Sequence, residues 1–106
     1  MVTVKLTRNA VNCIVAVNVT GHADYAPHGE DIVCAAVSAL TQTALVGLLR
    51  YAQYPVEYKM KAGFLSFRLQ KEPAVVTDTI LETMSLGLEE IARSYPDRVQ
   101  IKEHRR

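Results

Sequence analysis

Two cysteines, Cys13 and Cys34, are too few for a disulfide framework, which excludes a small secreted scaffold held together by bridges. Glycine and proline are scarce, at five and four residues, so the chain is neither collagenous nor of low complexity. Tryptophan is absent and there are only two phenylalanines, so five tyrosines make up most of the aromatic content. The net charge of +1 gives no overall pull toward nucleic acid or a membrane surface. The longest apolar run, Ile32 to Tyr54, is interrupted by Ser38, Thr41, Gln42, Thr43 and Arg50. It reads as a buried helix rather than a bilayer span, and no membrane partner is expected. Met1 to Thr7 alternate as a strand does, not as a leader does. Unpaired thiols without an export signal point to the cytoplasm.

What is present is enough apolar material, 49% of residues, for one core in one domain spanning residues 1–106. Val2, Val4 and Leu6 alternate with polar residues in a first strand. Cys13, Val15, Val17 and Val19 form the inward series of a second, with Cys13 read as a small buried hydrophobe. The long helix follows, stopped by Pro55. Two further alternating strands flank the turn Ala62-Gly63, and Pro73 suits the first turn of a second helix. In that helix Val76, Ile80, Met84, Leu88, Ile91 and Tyr95 recur at helical spacing. Val99 and Ile101 mark a short last strand. The order β-β-α-β-β-α-β, with one apolar face per strand, predicts a two-layer α/β (α+β) sandwich. Its sheet has five mixed strands, and both helices lie on one face.

The stretch from Gly21 to Leu40 concentrates the chemistry. Its first half is a polar loop and its second half begins the apolar helix. Asp31 is the last polar residue before the apolar run and is the natural N-cap, which makes Cys34 the third helical residue. A thiol in a first turn lies beside unpaired backbone N–H groups, where the field favours a thiolate. His22, leaving the second strand behind Gly21, is placed to serve as its base. His28 is a rival base, but it sits mid-loop beside Pro27 and Gly29 and is less firmly held. Ser38 lies one turn below the thiol, and Cys34, Ser38 and Thr41 share one helical face. Zinc is a poor fit: His22, His28, Asp31 and Cys34 match no closed ligand spacing. No metal or cofactor is expected. Between Asn9 and Leu49 there is no lysine or arginine, while Asp24, Glu30 and Asp31 all lie within ten positions of Cys34. Those acids favour a cationic substrate segment, with Asp24 and Glu30 as candidate contacts.

Gly21-His22-Ala23, Ala26, Gly29 and the run Asp31 to Leu40 resemble the signature of the ribosomal-processing cysteine protease family, Prp. The resemblance implies a dyad of His22 and Cys34, a homodimer, and removal of the N-terminal extension of bacterial large-subunit ribosomal protein twenty-seven. A reading of another class is a non-catalytic ribosome- or RNA-binding module. Lys5, Lys59, Lys61, Arg68, Arg98 and Lys102 fall in the outward series of their strands. With so few aromatics on that face, nucleic acid is not expected as a partner.

Overall fold

The computed structural model describes residues 1–21 and 28–106, with the side chains of 28–31 outside the description. The chain forms β1 (Val2–Arg8), β2 (Ile14–Thr20), α1 (His28–Val46), a π-helical turn (Gly47–Tyr51), β3 (Val56–Lys61), β4 (Phe64–Leu69), α2 (Val75–Ser94) and β5 (Val99–Arg105). The expected order and the two-layer arrangement are both found. The sheet runs β3-β4-β2-β1-β5. β1–β2, β2–β4 and β3–β4 are antiparallel, and β5 joins the far edge parallel to β1, so the sheet is mixed.

Alternation decides which side of each strand meets the helices. Val2, Val4 and Leu6 of β1, Leu65 and Phe67 of β4, and Val99 of β5 are buried on the helix side. They meet Val33, Val37, Ala44, Leu45 and Leu48 from α1 and the turn after it, and Leu81, Met84 and Leu88 from α2. By length and composition alone the stretch Ile32–Tyr51 is apolar enough to cross a membrane. In the fold it supplies the helix layer of this core. The two helices approach closely at Gly87, where an added Cβ would sit 3.0 Å from Leu40 Cδ1.

The last strand is not short, since β5 runs seven residues, Val99–Arg105, and three other expectations change. The inward series of β2 is interrupted, because Thr7 pairs with Ala16 while Arg8 pairs with Ile14, leaving Val15 as a bulge residue. The bulge puts fully buried Ile14 in the core with Val17. Cys13 is left outside the strand and only half-buried, in the turn that Asn9 organises by accepting the Val11 and Cys13 amides on Oδ1. The second helix starts after Ala74, so Pro73 precedes it. Thr77, three positions on, ties the start by accepting the Ala74 amide at 2.9 Å. Finally, β3 is not half-buried: Tyr58 and Met60, on its helix side, are 52% and 49% exposed. Two helices packed about 8–10 Å apart cover about four strands spaced 4.8 Å apart. The fifth, at the β3 edge, overhangs.

Candidate active site

That overhang makes a groove. Between α1 and the β3–β4 hairpin lies a cleft of about 270 Å³. Its α1 wall is Cys34, Val37, Ser38, Thr41 and Gln42. Its floor includes Val2 and Val19, and its far wall is the hairpin from Met60 to Leu65. Cys34, Ser38 and Thr41 share the helical face expected from their spacing, and that face is the one turned to the cleft. Cys34 is 6% exposed, at the junction of core and cleft. Thr41 donates its hydroxyl to the Val37 carbonyl at 2.9 Å, so it offers a ligand only acceptor capacity.

The helix start differs from expectation. α1 begins at His28, so Asp31 lies inside the helix rather than capping it, and Cys34 is in the second turn. Unpaired N–H groups belong to the first turn, and the dipole's effect fades beyond it. The helix-terminus argument for a thiolate at Cys34 therefore loses its geometric basis. A polar residue before an apolar run marks a cap only when the preceding loop stays non-helical, and here one more turn of helix forms.

His22, Asp24, and the side chains of His28, Glu30 and Asp31 lie outside the described residues. The strand end that leads to His22 is described. Thr20 pairs with Thr3 on one side and Phe64 on the other, and Val19 reaches the cleft floor. Gly21 follows at φ +91°. A side chain there would run into the Met1 carbonyl, so glycine is required where the chain turns off the sheet.

The second cysteine is in different surroundings. Cys13 donates its thiol to Asp78 Oδ2 at 3.2 Å. That bond, with smaller contributions from desolvation and the nearby carboxylate charge, pushes the thiol above its ordinary pKa. Sequence reasoning also missed the hairpin wall. Met60 and Phe64 were not among the candidate site residues, and an apolar residue on an edge strand was the one available signal. Lys61 and Phe64 form the hairpin end of this wall, paired in the row that faces away from the helices, with the Lys61 ammonium 5.6 Å from the Phe64 ring centroid.

The family model of cysteine protease Prp matches residues 1–100. This chain belongs to the Prp cysteine protease family. The Prp of Bacillus subtilis is 28% identical over 95% of this chain and 96% of its own. Staphylococcus aureus Prp is 30% identical over 95% and 97%. The Streptococcus mutans protein SMU.848 superimposes with a TM-score of 0.90 at 27% identity, covering 100% of this chain and 96% of that one. A crystal structure of S. aureus Prp carrying a covalently linked product peptide gives 0.87 at 26% identity, covering 97% and 99%. The two-layer mixed sandwich seen here is thus the Prp fold, and the chain is a cysteine protease of the ribosomal-processing class.

Proposed function

We propose that this protease removes the N-terminal extension of bacterial large-subunit ribosomal protein twenty-seven, with Cys34 as nucleophile and His22 as general base and acid. The observation that carries the choice of cysteine is the contrast in surroundings. Cys34 faces a cleft of about 270 Å³, whereas Cys13 is bonded to a carboxylate that opposes its ionisation. His22 takes the thiol proton, and Cys34 Sγ attacks the scissile carbonyl. As the tetrahedral intermediate collapses, His22 protonates the leaving amine. Water, deprotonated by His22, then hydrolyses the thioester and restores the thiol. Backbone N–H groups at the start of α1, one turn N-terminal to Cys34, are the proposed oxyanion donors. Ser38 supports the thiol from one turn below. With α1 starting at His28, Asp31 is assigned the role of orienting His22 rather than capping the helix.

The extended strand edge beside the cleft suits a peptide laid along the hairpin. Asp24 and Glu30 draw a cationic segment toward it. The enzyme works in the cytoplasm, where Cys13 and Cys34 remain free thiols. It acts as a homodimer, which covers apolar surface left open on the helix layer: Ile32 is 57% exposed and Leu86 63%. Light scattering should then give twice the 11.8 kDa chain mass. Incubation with a peptide copy of the extension, read by mass spectrometry, tests the activity. Cys34→Ala and His22→Ala should each abolish cleavage with the fold intact, while Cys13→Ala should retain it. An active Cys34→Ala variant, or an inert wild type, would end this reading.

A further inference from the structure

We propose that the sheet face opposite the helices is a docking surface for RNA, which binds it through the phosphate backbone and without sequence preference. The strand register lines up a row across all five strands. Lys59 pairs with Ser66, Ser66 with Asn18, Asn18 with Lys5, and Lys5 with Lys102. The row above it carries Lys61, and the row below carries Arg68. All five cations are exposed. Against them this face holds one carboxylate among the described residues, Glu57, bonded to Arg68 at 3.1 Å.

Lys5 and Lys102 stand directly opposite each other in the parallel pair. Like charges so placed weaken a sheet, and no carboxylate on either neighbouring strand position relieves them. The acids have gone to the other layer: α2 carries Asp78, Glu82, Glu89 and Glu90, with Arg93 its single cation. A net charge near zero therefore conceals a basic face set against an acidic helix.

Thr3, Thr7, Thr20, Asn18 and Gln100 stand among the lysines, a mixture of hydroxyl and amide groups suited to phosphate and ribose oxygens. Among the described residues, Phe64 is the one phenylalanine, tyrosine or tryptophan on this face, and it is half-buried. Base stacking and lipid insertion are both poorly served, which favours backbone recognition of RNA over a membrane surface or a single-strand stacking platform. The proposal rests on the face itself, not on the substrate proposed above, because binding and cleavage are read separately.

Fluorescence anisotropy with a labelled short RNA duplex, across a KCl series, tests it. With about four phosphates neutralised at about 0.9 each, log K should fall against log salt with a slope of about −3 to −4. Lys5→Gln with Lys102→Gln should flatten that slope by about 2 and weaken binding more than about tenfold. Its cleavage of a short peptide should stay unchanged. Lys59→Gln alone should flatten the slope by about 1. Arg50→Gln with Arg93→Gln, on the helix layer, should change neither. The proposal is overturned by absent binding at low salt or by an unaltered slope in the sheet-face variants. Tighter binding to polyglutamate or to phosphatidylserine vesicles than to RNA also overturns it.

Discussion

Gly21→Ala tests whether the end of β2 positions the catalytic apparatus. Position 21 has φ +91°, a conformation an L-residue adopts at a cost of about 1–2 kcal/mol. The new Cβ would overlap the Met1 carbonyl oxygen and sit 3.2 Å from its carbon and 3.4 Å from Val2 Cα. These are backbone atoms and cannot rotate aside, so the start of β1 must shift. That start is held by the Val2 amide donating to the Arg98 carbonyl at 2.8 Å, a bond worth about 1 kcal/mol. The total loss is about 2–3 kcal/mol, which lowers Tm by about 10–20 °C in a domain of this size. Val2 and Val19 form the cleft floor, and His22 is the next residue. A displacement of about 1 Å there costs about 100-fold in turnover. Thermal melting and peptide cleavage well below Tm separate the two effects. The expected result is a kcat deficit far larger than any unfolded fraction explains. A D-alanine at position 21, introduced by ligating synthetic segments at Cys34, accepts positive φ and should restore most of both. Wild-type Tm and kcat in the L-alanine variant would refute the reasoning.

Other perturbations have distinct signatures. Arg8 bonds Glu82 twice, at 2.7 and 3.3 Å, and Glu103 at 2.9 Å. Its side chain is 12% exposed and the carboxylates about half exposed, so Arg8→Met should cost about 1–2 kcal/mol by chemical denaturation, after allowance for solvent screening. Gly87→Ala should be nearly neutral, because about 1 kcal/mol of helix propensity offsets a contact that the flexible Leu40 side chain can relieve. Gly87→Leu should instead separate the helices and cost about 1–3 kcal/mol. Cys13 holds its proton more tightly folded than unfolded, because of Asp78. The stability this contributes is fully present below the unfolded thiol's pKa of about 8.5 and is lost as pH rises through the raised folded value. Asp78→Asn should therefore soften the alkaline decline in Tm and speed alkylation of Cys13. An unchanged alkaline profile would show that the Cys13–Asp78 bond is not maintained in solution.

The order of elements and the two-layer arrangement were legible in the chain because strands with one apolar face must be covered on that face. The shared face of Cys34, Ser38 and Thr41 was legible because helical geometry is local. Local rules misplaced the start of α1, since residues from His28 onward extend the helix past the apparent cap at Asp31. They also misplaced Cys13, because one bulge at Val15 reverses the phase of everything before it. A period-two pattern cannot reveal where a strand acquires an extra residue.

By itself, then, the sequence determined the order of elements and most of the inward residues, apart from those displaced by the bulge in β2. Tertiary structure alone decided where a cleft opens beside Cys34. Two helices cover only about four strands, so the β3–β4 hairpin overhangs and leaves a cleft whose far wall is distant from Cys34 along the chain. It also decided the electrostatics. The composition sums to near neutrality, but strand register gathers Lys59, Lys5 and Lys102 into one row, while α2 carries acids on the opposite layer. Charge counts are additive along a chain, whereas potentials depend on which charges become neighbours, and only strand pairing settles that.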